Sequence, residues 1–416
     1  MATGLGQAEV FRPFAAAPEV VFARAASRSP LFAANSSAGG EQVVVGSAVG
    51  LGDEDVALRA RSELRERVSN ILAGRRAEAR PEIIASYLEL CRAGRAAVDP
   101  SLLSSRGAVE ADALRGARRL WVWGEALVTR TPTLVPAGAV FLHHRPPPGC
   151  SGSPRTGSTG VSAHTSWGAA VRHGLLEVLE RDLFWRSWYG TGARTSRLDP
   201  ALEPAALRRT RASLGWELVA LRIEGPGSTA CVVACVFTPG GGGQSFGARA
   251  FVDEGEATRA WALERATHEA LMVRWSLDTP SARLAWQRMD ARGDASPPVD
   301  ALEHALAAFH RRGHQDCLRY WLDRTPAGLP PARPPGAGTL TPREVMPEER
   351  WLAALLAEHT GQEPVAVDTT VPQVCSGEAV VVRIVAPGAY QMPGNEAHAC
   401  VPLPPPGIQR PPHPLG

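Results

Sequence analysis

One helical phrase occurs twice in this chain, and its duplication constrains the fold more than any other feature. It reads Glu63-Leu-Arg-Glu66-Arg67 in the first copy and Glu177-Val-Leu-Glu180-Arg181 in the second. A spacing of three puts both carboxylates on one helix face, where they can share a cation, and the arginine that follows can reach a phosphate or pair a carboxylate. A single copy would read as ordinary surface ion pairing. Both copies, however, follow a glycine-bearing turn, GSAVGLG before the first and GSTGVSAHT before the second, so the repeat is architectural. Two such faces brought together make a carboxylate-lined, arginine-edged pocket. Magnesium and the phosphates of a nucleotide need such a pocket where no P-loop exists.

The remaining pattern places these phrases on an α/β chain in which β-sheets are packed by long helices. QVVVGSAVGLGDEDVALRARSELRERVSNILAGR predicts a strand, a turn and a helix that ends near Gly74, its acidic start suiting the positive end of the helix dipole. A helical stretch over 81–96 precedes two strands, RLWVWGEALV and AVFLHH, and the loop RPPPGCSGSPRTGSTG. The second helix covers 166–189, with Ala170, Leu175, Leu176, Leu179, Leu183 and Trp188 at helical intervals. A strand pair, ELVALRI and ACVVACVF, a GGGG turn and a third helix over 256–277 follow. Late in the chain come the helix WLAALLAEH and the strands PVAVDTT and AVVVRIVA. The expected organisation is a mobile lead-in over 1–40, a main domain over 41–400 and a proline-dense, extended tail over 401–416. Within the domain, 279–345 is rich in Pro, Arg and Ala, reads as an insertion or linker, and receives no role.

Composition narrows the chemistry. All 44 basic residues are arginine, so a lysine nucleophile, a Schiff base and the lysine of a Walker A loop are excluded, and guanidinium forks must do all the cationic work. Against them stand 42 acidic residues, a balance that gives no basic tract for nucleic acid. Seven scattered cysteines without a CxxC pair argue against a structural zinc site, and Cys231 and Cys235, in CVVACVF, read as buried small hydrophobes. His143, His144 and His164 are read as solvated loop residues. No run of 18 apolar residues and no signal-peptide pattern appears, so membrane is not expected as a partner and the cytoplasm is the expected compartment.

Here the residues resemble the YcaO superfamily. In that family an S-G-K-G motif and an E-x-x-E-R helix are followed by S-N-G-x-A-A-G-N-T and an E-x-x-E-R-D helix. The second block here reads Ser158-Thr-Gly160-Val-Ser-Ala163-His-Thr165, then HGLLEVLERDLFWRSWY. FGARAFVDEGEATRAWALERATHEALMVRW is similar to the family's third helix, and GQEPVAVDTTVPQVCSGEAVVVRIVAPGAYQ to its D-x-T strand, V-x-R strand and P-G turn. The resemblance implies a YcaO-like fold that holds ATP and Mg2+ between the helices and phosphorylates a peptide amide oxygen. Azoline-forming members, as in bacterial thiazole/oxazole-modified microcin and bacteriocin biosynthesis, use a Cys, Ser or Thr of a ribosomal precursor peptide; other members make thioamides or amidines.

Carried over position by position, Glu63, Glu66, Glu177 and Glu180 correspond to nucleotide and magnesium contacts, Arg67, Arg181 and Arg383 to phosphate contacts, Ser158 and Gly160 to the turn, and Glu269 to the third helix's glutamate. The terminal Pro412, Pro414 and Gly416 correspond to a proline tail whose carboxylate lies near the active site, with glycine where that tail ends in proline. Four positions depart from the family: Val49 for lysine, Arg59 for serine, Ala169 for glutamate and Met272 for glutamine. The resemblance therefore implies a cyclodehydratase first and, second, a degenerate subunit that binds precursor or scaffolds an active partner. Ordered pattern begins near residue 40, so a separate leader-peptide-binding partner is expected, and a homodimer with it.

Overall fold

The structure is a computed structural model that describes residues 7–34, 42–103, 108–154, 157–189, 193–239, 243–293, 302–303, 306, 317–325 and 346–390. Chain order begins with a three-stranded antiparallel sheet, β1 (Glu9–Phe11), β2 (Val21–Ser29) and β3 (Gln42–Gly50), followed by the helix α1 (Asp53–Ala79). Next come β4 (Ile83–Ala85), α2 (Tyr87–Arg92), α3 (Ala108–Gly116), β5 (Arg119–Ala126), β6 (Pro132–Pro136), α4 (Ala137–Val140), β7 (Val161–His164) and α5 (Trp167–Trp188). The third stretch holds β8 (Thr195–Arg197), α6 (Ala205–Leu214), β9 (Glu217–Glu224), β10 (Thr229–Phe237), β11 (Gln244–Val252), α7 (Glu256–Ser276), α8 (Pro280–Arg292) and α9 (Cys317–Asp323). Last are α10 (Glu348–Thr360), β12 (Val365–Asp368), α11 (Pro372–Cys375) and β13 (Val380–Val385).

Three antiparallel sheets result, ordered β1-β2-β3, β4-β5-β12-β13-β7 with β6 on β5, and β11-β10-β9-β8. In each, the strand at one end runs directly into a long helix: β3 into α1, β7 into α5, β11 into α7. These strand–helix corners carry the site. Close contact is set by small residues. A Cβ on Gly46 of β3 would sit 2.2 Å from the Ala60 carbonyl of α1, and one on Gly247 of β11 would sit 2.2 Å from the Ala266 carbonyl of α7. The helices bury complementary stripes. On α1, Val56, Ala60, Leu64, Val68 and Ile71 recur at helical spacing, while α5 is buried nearly all round between the β9–β11 face and α10.

Several expectations shift. Residues 1–40 are not simply a lead-in, since Glu9–Phe11 and Val21–Ser29 pair with each other and with β3. The inward positions of β2 include Ala23 and Ala25, and alanine carries little strand signal although both are buried here. Helix α1 runs five residues past Gly74, because that glycine makes room for the Phe141 ring against the helix and ends nothing. Only Tyr87–Arg92 of the stretch 81–96 is helical, and AVFLHH starts as the short helix α4. His144 is buried rather than solvated, its Nδ1 2.8 Å from Glu78 Oε1. Cys231 and Cys235 lie on one face of β10, both fully buried. The expected proline tail with Pro412, Pro414 and Gly416 lies outside the described residues, as does most of 294–345.

Candidate functional site

A strand at the end of a sheet leaves backbone N–H groups without a ladder partner, and such groups need acceptors when buried. In each corner the acceptor is a helix glutamate. Glu63 of α1 accepts from Ser47 N of β3 at 2.6 Å, and Glu66, one turn on, accepts from Ala163 N of β7 at 2.8 Å. The second helix repeats the scheme: Glu177 of α5 accepts from Gly160 N at 3.0 Å, and Glu180 from Ala250 N of β11 at 2.9 Å. The third begins it, with Glu269 of α7 accepting from Ala248 N of β11 at 3.0 Å. So the first carboxylate caps its own strand in α1 and α7 and the turn leading into its strand in α5, and the second, in α1 and α5, reaches the strand of the next corner. One turn past Glu269, where a sixth carboxylate would complete the circuit, stands Met272. It packs with Val49 of β3, Phe22 and Leu271 in an apolar cluster.

Gly160 shows why the turn before α5 needs glycine. Its φ is +83°, and a Cβ there would lie 2.6 Å from the Ile384 carbonyl. Ser158 is exposed and holds the turn through its carbonyl, which accepts from Val161 N at 2.9 Å.

Three arginines hold the carboxylates in place. Arg67 donates to the Val45 carbonyl and bridges to Glu63 Oε1, both at 2.5 Å. Arg181 lies between Glu180, at 3.5 Å, and Glu269, at 4.0 Å. Arg383 of β13 is 2% exposed, donates to the Gly157 carbonyl at 2.8 Å and attracts Glu177. Arg383 is thus buried against the loop that leads into β7.

Burial raises Glu63, Glu66, Glu177 and Glu180 above the ordinary carboxylate range. Glu66 rises furthest in kind, since Glu63 and Glu177 repel it as well. Glu180 is pushed up to about 7 by burial, with Glu269 adding to the rise and Arg181 opposing it. Against burial, Glu180, Glu269 and Glu177 hold Arg181 firmly cationic. A group of mutually repelling carboxylates, each with one oxygen anchored on a backbone N–H or beside one, is a site that favours a cation. Among the described residues no three His, Cys, Asp or Glu side chains converge on one point closely enough to ligate an ion by themselves. The arrangement thus fits a metal that takes one or two carboxylates and completes its shell elsewhere, as magnesium does with phosphates.

Opposite the carboxylates stands a basic wall that sequence reading did not find as a unit. Arg59, the residue at the family's serine, donates to the Val49 carbonyl at 2.7 Å and to Asp55 at 2.9 Å. Burial, with repulsion from Arg265 and Arg249, lowers its guanidinium against the pull of Asp55. Arg249 of β11 acts on Glu177, Glu180 and Arg59 together, and its Nε is buried without a hydrogen-bond partner. Trp261 of α7, half-exposed, lies under Arg249 and Arg265 at 5.4 and 6.0 Å. His268, 4% exposed, has its Nδ1 buried without a partner and is pushed down to about 4 by burial and by Arg265 and Arg59. One signal could have revealed Arg249: it is the only charge in the strand QSFGARAFV, and small or apolar residues flank it.

Comparison with known proteins decides the family. A sequence model described as YcaO cyclodehydratase, ATP- and Mg2+-binding, matches residues 49–390. The chain belongs to the YcaO family. It is similar in fold to YcaO from Methanopyrus kandleri bound with AMPPCP and Mg2+, with TM-score 0.57 and 21% identity over 97% of this chain and 91% of that one. It is similar to a heterocyclase in complex with substrate and cofactor, with TM-score 0.62 and 19% identity over 92% of this chain but only 50% of that one. A third YcaO-like fold is found in the E. coli microcin synthetase McbBCD complex with pro-MccB17 bound, with TM-score 0.57, 13% identity, and 92% and 88% of the two chains covered. An uncharacterized protein of Methanothermobacter thermautotrophicus is 39% identical over 62 residues, 15% of this chain and 16% of that one. The YcaO family binds ATP and Mg2+, and the carboxylate floor and basic wall fit that pair. Among the described residues no helix is long and apolar enough to cross a membrane.

Proposed function

We propose that this YcaO protein is an ATP-dependent cyclodehydratase that forms thiazoline or oxazoline rings in a ribosomally made precursor peptide, working with a separate leader-binding partner. The observation that carries the reading is the pairing of a carboxylate floor with an arginine wall across the space where β3, β7 and β11 meet. A polyphosphate with magnesium has both charges, and the two sides match them. Bound ATP supplies the phosphoryl group that turns an amide oxygen into a leaving group. The chain's own residues position and neutralise. Glu66, Glu177 and Glu180 offer their free oxygens to the cation, with Glu63 and Glu269 completing the floor. Arg67, Arg181 and Arg383 keep the carboxylates charged and aimed, and Arg59, Arg249 and Arg265 receive phosphate oxygens where lysine and serine are absent. His173 is pushed down to about 4, first by burial and then by Arg249, so it stands neutral at pH 7. Pro412, Pro414 and Gly416 keep their proposed place beside the reacting peptide.

A second reading, a subunit that binds precursor without turning over ATP, is favoured by the apolar closure at Val49 and Met272, two positions where the family is polar. Calorimetric titration with a non-hydrolysable ATP analogue and Mg2+ separates them. The enzyme reading expects micromolar binding that weakens about 100-fold or more in Glu177→Ala plus Glu180→Ala and about tenfold in Arg59→Ser. Absence of binding by a folded wild-type chain would leave the second reading.

A further inference from the structure

The six-stranded sheet buries an arginine that no acceptor among the described residues satisfies. Arg119 opens β5, is 1% exposed, and ranks among the largest fully buried side chains. Its Nε, Nη1 and Nη2 are all buried, and among the described residues none has a hydrogen-bond partner. The carboxylate that attracts it, Asp99, is already committed: Oδ1 accepts from Ser101 N and Oγ at 2.9 and 2.7 Å, and Oδ2 takes Arg115 Nε at 2.8 Å. Asp112, 3.7 Å from Arg115, is exposed. Arg115, partly exposed, thus takes up Asp99 and Asp112, and Arg119 is the buried guanidinium left without a paired carboxylate among the described residues.

Loss of the proton does not relieve the mismatch, because burial lowers Arg119 only to about 10 and the group stays cationic at neutral pH. A buried unpaired charge costs several kcal/mol, on the order found when one partner of a buried ion pair is removed. A counter-charge from outside the chain removes that cost.

We propose that Arg119, with Arg115 beside it, forms a second anion site, separate from the ATP centre, that takes a small oxyanion such as inorganic phosphate. The planar guanidinium fork matches two oxygens of such an ion. The depth of Arg119 favours a small ion over the carboxylate of a peptide, which would need an open groove. The site lies where β5 pairs with Ala85 of β4 and Trp121 Nε1 donates to the Ala85 carbonyl at 2.8 Å, and an ion there would tie this end of the sheet to Arg115 of α3.

The test is thermal unfolding of the full chain in a phosphate-free buffer titrated with inorganic phosphate, on wild type, Arg119→Met and Arg59→Ser. Wild type and Arg59→Ser should gain about 2 °C at a roughly tenfold excess over Kd, while Arg119→Met gains nothing. Its melting point without phosphate should equal or exceed wild type, since methionine removes the unpaired charge. Should Arg119→Met not fold, Arg115→Gln is measured instead, with a weakened phosphate shift expected. No phosphate shift in wild type, or an equal one in wild type and the Arg119 or Arg115 variant, overturns the proposal. A shift lost in Arg59→Ser alone would move the ion to the ATP centre and overturn it as well.

Discussion

The corners built on α1 and α5 differ from the one built on α7 by a single turn of helix. In the first two, a second glutamate follows the first at three residues and reaches the next strand, Glu66 to β7 and Glu180 to β11. In the third, Met272 takes that place and packs against Val49 of β3. Backbone geometry is shared, as a Cβ added at Gly46 or at Gly247 would lie 2.2 Å from a carbonyl of its helix. The difference is therefore chemical rather than architectural. It moves the cation-binding potential away from β3 and toward the α1–α5 side, and leaves α7 to contribute Glu269 and the wall.

The largest effect should come from breaking what the corners share. Gly46→Ala and Gly247→Ala each force a Cβ into helix backbone, and each should cost about 3 kcal/mol or more in chemical denaturation. Equal losses support one architecture; a tolerated Gly247→Ala would mean that the α7 corner is built differently.

Met272→Glu then makes the third corner resemble the others. Removing apolar packing and adding a carboxylate beside Glu269 should destabilise the chain by roughly 2 kcal/mol at pH 8, and by less at pH 5. A neutral outcome at pH 8 would deny that the apolar closure matters.

The smallest effect is in pH. A carboxylate whose folded pKa is raised contributes stability that is present at low pH and lost as pH rises through the folded value. His173 and His268, lowered to about 4, act in the opposite sense only below their unfolded value of roughly 6.5. Glu180, raised to about 7, still acts above that value, so stability without magnesium should fall between about pH 6.5 and 8 and Glu180→Gln should flatten the fall by about 1 kcal/mol. An unchanged slope in Glu180→Gln would assign the titration elsewhere.

Much of this was legible in the sequence because helix periodicity and charge spacing are local. Glu63, Glu66, Glu177 and Glu180 follow from two phrases, and the three long helices from their apolar intervals. What stayed hidden is non-local. That Glu66 serves β7 and Glu180 serves β11 depends on how corners meet, which no spacing within one helix encodes. The wall joins Arg59, Arg249 and Arg265 from three elements; Arg59 stood out as a departure from the family and Arg249 as the one charge of its strand, but nothing local joined them. Strands β1 and β2 of the first sheet escaped notice because alanines make up much of the inward face of β2.

The central claim is that ATP and magnesium lie between the carboxylate floor and the arginine wall. The direct measurement is a crystal structure of this chain with AMPPCP and Mg2+. The account predicts the metal against free oxygens of Glu66, Glu177 or Glu180 and phosphate oxygens on Arg59 or Arg249. A nucleotide bound elsewhere, or a centre that stays closed by its own ion pairs at saturating ligand, would contradict it.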